Sequence, residues 1–169
     1  MPEPRSSRPY MPGYGMLPPD QGSGLLPWSW AVARLRDSHD YWVATVRPDG
    51  RPHQMPVWAV WHDDAVWFSS SVGSRKIRNI VLGSEVSVAT GDPLNPVIAE
   101  GRARIMTDTV SVKTFLDALN VKYGTDYDLD FLDPAENATV RVRPRWVFAL
   151  DERDFTGSPT RWDLRSPAG

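Results

Sequence analysis

Residues 41–79, YWVATVRPDGRPHQMPVWAVWHDDAVWFSSSVGSRKIRN, constrain this chain more than any other stretch. Runs of apolar and β-branched residues, each closed by a turn signal, predict consecutive antiparallel strands over 41–47, 52–61 and 65–70. Pro48-Asp49-Gly50 is a turn for a physical reason: proline presets φ and glycine accepts a positive φ. His62-Asp63-Asp64 makes the next reversal. After Ser69, Ser70, Ser71, Val72 and Gly73 the spacing becomes helical at Ser74-Arg75-Lys76. A polar strand end feeding a basic helix start suits phosphate, which gains free backbone N–H groups and cations together.

In the second strand Met55, Val57, Ala59 and Trp61 share one face; Gln54, Pro56, Trp58 and Val60 share the other. Both faces carry apolar groups, so the strand is expected to be covered on both sides. Pro56 cannot donate to a ladder, so it marks an edge, a bulge or a break in pairing. An unpaired edge there leaves neighbouring N–H groups for a ligand.

Helical spacing is also expected over 29–37, with Trp28, Val32 and Leu35 on one side, and over 109–123, through Val112, Phe115, Leu116, Leu119 and Tyr123. The helix from Ser74 places Ile77, Ile80 and Val81 together, and Gly83 suits its C-terminal cap. Further strands are expected over 85–90, 97–105 and 139–150, the last interrupted at Pro144, after an acidic loop over 124–137. The division is a Pro/Gly-rich arm over 1–27, a cofactor-binding domain over 28–150 and a tail over 151–169. In the arm, Tyr10, Met11, Tyr14, Met16 and Leu17 predict partial docking. The fold class is mainly β with flanking helices (α+β), a six-stranded antiparallel barrel.

Several function classes are excluded. With 19 basic and 21 acidic residues, the net charge of −2 gives no support for nucleic-acid binding. There is no cysteine, hence no disulfide or thiolate chemistry, in keeping with a cytoplasmic protein. No apolar run reaches membrane-span length and no signal-peptide core is present. His39, His53 and His62 lack metal-ligand spacing, so no metal is expected. DYDLDFLDP lacks the glycine and terminal glutamate of a calcium loop. Nucleophile-elbow, Walker, Rossmann and zincin motifs are all missing. No acid–base pair stands out, and no catalytic residue is assigned. His53, which follows Gly-Arg-Pro at the start of the second strand, is the histidine nearest the expected pocket.

Asp49-Gly50-Arg51-Pro52, Pro56-Val57-Trp58, Trp67-Phe68-Ser69 and Ser74-Arg75-Lys76-Ile77-Arg78-Asn79-Ile80 carry a resemblance in their order and spacing. The chain resembles the flavin/deazaflavin oxidoreductases of the split β-barrel fold, relatives of the pyridoxamine 5'-phosphate oxidases, over about 28–150. The split topology comes from that resemblance, and so do the site roles. Ser74, Arg75, Lys76, Arg78 and Asn79 correspond to the phosphate-binding segment. Ser69, Ser70 and Ser71 lie beside the ribityl–phosphate chain. Pro56, Val57 and Trp58 lie along the ring, mainly through backbone contacts, with His53 near the same pocket. The resemblance implies a homodimer whose partner completes each cofactor site, Arg141, Arg143, Arg145, Trp146 and the N-terminal arm being the contributors expected. It favours coenzyme F420, with FMN the alternative, and hydride transfer to an unsaturated small-molecule substrate. A non-catalytic flavin- or haem-binding protein is a further alternative. The segment ERDFTGSPTRWDL does not resemble the C-terminal region of true pyridoxamine-phosphate oxidase.

Overall fold

The computed structural model describes residues 3–165. In chain order its elements are β1 (Arg5–Ser7), α1 (Trp28–Asp37), β2 (Asp40–Val46), β3 (Pro52–His62), β4 (Ala65–Ser71), α2 (Arg75–Leu82), β5 (Glu85–Thr90), β6 (Val97–Met106), α3 (Thr109–Tyr123), β7 (Asn137–Ala149) and β8 (Thr160–Asp163). Two 3₁₀ turns lie between, at Leu129–Leu132 and Glu152–Asp154.

The order β7-β4-β3-β2-β5-β6, with β6 pairing back onto β7, closes a six-stranded antiparallel barrel. Its interior is filled by alternate strand residues, among them Tyr41, Val43, Ala59, Val66, Phe68, Val88, Ala99, Val140 and Val142. Outside β3 and β4, α3 lays Val112, Phe115, Leu116 and Leu119 on Val60, Ala65 and Trp67. Asp108 caps that helix by accepting from the Ser111 N–H at 2.9 Å, and Gly124 ends it in the left-handed conformation at φ 65°.

Local expectations are corrected at four points. Pro144 does not interrupt the last strand: β7 runs on for 13 residues, and a register shift between Glu100 and Gly101 absorbs the misfit. Gly101 faces Pro144 there, and any Cβ on it would collide with the Arg143 carbonyl. Gly83 closes α2 in extended conformation, not left-handed, and Val81 points to solvent while Ile77 and Ile80 are buried. The second strand is buried on both sides only near Ala59–Trp61, where α3 packs on Val60; beyond that only Tyr123, the last residue of α3, meets it, at Trp58. The stretch expected as a tail supplies β8, which pairs with β7 and buries Trp162 completely.

The arm docks on that same C-terminal segment. β1 pairs with β8, and Arg8 donates to the carbonyls of Leu17, Pro18, Gln21 and Pro159. Leu26 is buried in the main core, its N–H bonded to Thr160 Oγ1 at 2.8 Å. In the acidic loop, Asp128 and Asp133 accept from the backbone N–H groups of Asp130 and Ala135, so these carboxylates shape turns.

Candidate functional site

β3 and β4 pair only over Ala59–His62. Below Ala59 the strands diverge: β4 stays on β7, and residues 52–58 of β3 keep only β2 as a neighbour. The barrel wall is therefore open along one edge of β3, facing Ser69, Ser70, Ser71 and the start of α2.

Which backbone groups face the opening follows from ladder alternation. The Arg47 N–H bonds the Arg51 carbonyl at 2.9 Å. Stepping by two along the observed register makes Thr45–His53, Val43–Met55 and Tyr41–Val57 the hydrogen-bonded pairs. Positions 52, 54, 56 and 58 then turn their backbone groups away from β2, towards the opening. Two of these four are prolines, Pro52 and Pro56, which need no ladder partner there. Gln54 and Trp58 present free N–H groups on either side of Pro56.

The polar end is organised by Ser74, the N-cap of α2, whose hydroxyl accepts from the Ile77 N–H at 3.4 Å. Ser70 donates to Ser74 Oγ at 3.2 Å and accepts from Lys76 Nζ at 2.8 Å. The Ser71 hydroxyl accepts from the Gly73 N–H. Burial lowers the Lys76 ammonium pKa from its ordinary value. His53 is lowered as well, first by desolvation and then by the charges of Arg47, Lys76 and Arg75. Its Nδ1 is buried and has no partner. Among the described residues none of Arg47, Arg75, Lys76 and Arg78 pairs with a carboxylate, whereas Arg51 is held by Asp49 at 2.7 Å. Four unneutralised cations in a chain of net charge −2 make a site suited to a multiply charged anion.

The structure thus gathers His53, Ser70, Ser74, Arg75 and Lys76 at one end of the opening, with Pro56 and Trp58 along its edge. Val57 faces inward and packs on the barrel core. Asn79 is turned inside: its Nδ2 donates to Thr45 Oγ1 at 2.9 Å, tying α2 to β2, and its Oδ1 is buried without a partner. Arg78 is exposed. Arg141, Arg143, Arg145 and Trp146 lie on β7, on the opposite side of the ring from β2. Arg143 is paired with Asp63, Arg145 with Glu85, and Trp146 is sandwiched between Arg161 and Arg165.

Sequence reasoning offered Arg47 and Arg51, which flank the first turn, as further cations of a basic groove, but missed that Asp49 holds Arg51. It also missed the outer face of β2 and β3, where Trp42 and Trp58 are each 42% exposed and Val46 is 58% exposed. A cavity of about 480 Å³ between Ser38, His39, Asp40, Trp42, Pro56, Gly91 and Asp92 opens on this face.

A family profile described as pyridoxamine 5'-phosphate oxidase matches residues 31–151. No curated protein matches the sequence. Among solved structures, a conserved hypothetical protein from Mycobacterium tuberculosis superposes with a TM-score of 0.67 at 21% identity, over 85% of this chain and 93% of that one. A protein described as an F420 reductase gives 0.58 at 25% identity, over 72% of this chain and 98% of that one. A heme binding protein from Mycobacterium smegmatis gives 0.60 at 16% identity, over 79% of this chain and 62% of that one.

Proposed function

Because the chain belongs to the pyridoxamine 5'-phosphate oxidase family, we propose that it is an oxidoreductase that uses coenzyme F420 to reduce an unsaturated small molecule. The observation that carries this reading is the set of three cations, Arg47, Arg75 and Lys76, that act on His53 at the open edge of β3 and have no carboxylate partner among the described residues. FMN ends at one phosphate monoester, which Lys76 and the α2 N-terminus would satisfy. The deazaflavin continues into a phosphodiester and a polyanionic tail, and Arg47, Arg75 and Arg78 give that extra charge a place to lie. The orphan Nδ1 of His53 and the half-buried Lys76 fit an anionic group, since each lacks a strong acceptor or donor partner in the protein.

When bound, the cofactor supplies the hydride; the protein binds, orients and excludes water. Lys76, Ser70 and Ser74 hold the phosphate end, with charge-assisted bonds contributing about 1.5–3 kcal/mol each. The backbone of Gln54 and Trp58 offers donors to a flat ring, and Pro56 keeps that edge from being zipped by another strand. A second copy of the chain covers the exposed face of Trp42, Val46 and Trp58, and the shared site forms between the copies. The compartment proposed is the cytoplasm; among the described residues no helix is long and apolar enough to cross a membrane.

The FMN reading rests on the family match itself. Isothermal titration with both cofactors at low and moderate salt separates the two. The expected result is tighter binding of the deazaflavin, weakening as salt rises, because exposed charges are screened. Tighter FMN binding at both salt levels would reject the first reading, and a Soret band with added haem and no binding of either flavin would replace it with the haem-binding alternative.

A further inference from the structure

The end of α3 reaches β3 on its β2 side, level with the start of the opening, in a way that neither the fold nor the family match requires. The last β2–β3 partners are Asp40 and Trp58, so continued register would set His39 opposite Ala59 as the next hydrogen-bonded pair. That bond is not made. The Tyr123 hydroxyl stands in its place: it accepts from the Ala59 N–H at 2.9 Å and donates to the His39 carbonyl at 2.6 Å. Lys122 takes the other half of the same residue, donating to the Ala59 carbonyl at 2.9 Å and to the Tyr41 hydroxyl at 2.7 Å. Tyr41 is fully buried and passes its own proton to the Leu35 carbonyl of α1. The Trp58 indole stacks on the Tyr123 ring, with centroids 4.3 Å apart and planes within 5°.

Trp58 is therefore fixed from both sides. The peptide before it is set by the Tyr41–Val57 pair, and the peptide after it is set by Tyr123 through the Ala59 N–H. Its own N–H and C=O, between these two anchors, face the opening. One inserted hydroxyl keeps β2 and β3 from closing at the point where the barrel splits.

We propose that Tyr123 and Lys122 are positioning residues that aim the Trp58 backbone at the ring of the bound cofactor and so set the balance between its oxidised and reduced forms. This rests on the cofactor reading above. A hydrogen-bond donor held in one direction acts differently on a ring whose edge gains charge on reduction. A donor free to swing does not discriminate.

The test compares wild type with Tyr123→Phe and Lys122→Met, using three readouts. The first is amide hydrogen exchange of the free protein, which needs no cofactor. Exchange at Ala59, whose N–H the Tyr123 hydroxyl accepts, is expected to accelerate roughly tenfold or more in Tyr123→Phe, while Val43 and Met55 are unchanged. The second is the ratio of dissociation constants for oxidised and reduced F420, expected to change by roughly fivefold to tenfold, the equivalent of one hydrogen bond. The third is binding of inorganic pyrophosphate, which probes only the basic end and is expected to stay the same. Unchanged exchange at Ala59 would overturn the clamp. A constant oxidised-to-reduced ratio, or equal losses for F420 and pyrophosphate, would reduce the pair to a structural role and overturn the positioning. A wild type that binds neither cofactor would overturn the cofactor reading and the ring assignment with it; the exchange data would show that outcome to be separate from failure of the clamp.

Discussion

Trp162→Ala is expected to destabilise the whole barrel, although Trp162 lies beyond the family match and three residues before the end of the described chain. The indole is 0% exposed and sits in the main core, edge-on to Trp28 at 5.4 Å. Truncating a buried aromatic to alanine costs about 3–5 kcal/mol in transfer and cavity terms. One offset applies, since Trp162 Nε1 is buried without an acceptor. Removing an unsatisfied donor returns on the order of 1 kcal/mol. The net expectation is about 2–4 kcal/mol, a large share of the 5–15 kcal/mol typical of a domain. Trp162→Phe keeps most of the volume and loses the orphan N–H, so it should stay within about 1 kcal/mol of wild type. Urea unfolding followed by far-ultraviolet circular dichroism measures both without relying on the other seven tryptophans. An alanine variant with the wild-type midpoint would show that β8 is not part of the cooperative core.

Lys76→Ala should weaken cofactor binding about ten- to a hundredfold with little change in the urea midpoint, as titration and unfolding together would show; a folded variant of unchanged affinity would remove Lys76 from the site. Burial lowers the Lys122 pKa from 10.5 to about 8, so between pH 8 and pH 10 the unfolded chain holds a proton that the folded one has released. Stability should therefore rise with pH through that window and fall away as pH drops through 8, and Lys122→Met should flatten the slope. Above pH 10 the trend reverses, because burial raises both Tyr41 and Tyr123 from their ordinary value of 10.

The barrel was legible because its signals are local. Alternation, Pro-Asp-Gly and the Ser74 cap each act within a few residues, and eight of the expected strand and helix spans were placed to within two residues of β2, β3, β4, β5, β6, β7, α1 and α3. Pro144 misled because a bulge depends on what lies opposite, and Gly101 is more than forty residues away in sequence. The basic site was partly legible, as Ser74 and Lys76 are close in sequence. Its remaining members, Arg47 and His53, meet α2 only once the barrel forms, and Asn79 turned inward to Thr45 for the same kind of reason. The Tyr123 hydroxyl between Ala59 and His39 had no sequence signal, since a tyrosine at the end of an amphipathic helix reads as core.

The pairing of Arg5 with Asp163 sets the two ends of the described chain side by side. β8 rests on β7, which also closes the ring between β4 and β6, so β7 joins three neighbours. During synthesis the early strands emerge with one seam unfilled, and the N-terminal arm waits for a docking strand made more than 150 residues later. Such distant pairings carry the entropic cost of closing long loops, so a slow, late closing step is built into this topology. The same adjacency means that a short linker could join residues 5 and 163 and new ends could be cut at the exposed Pro48–Gly50 turn, yielding a chain in which β8 is made just before the arm that docks on it.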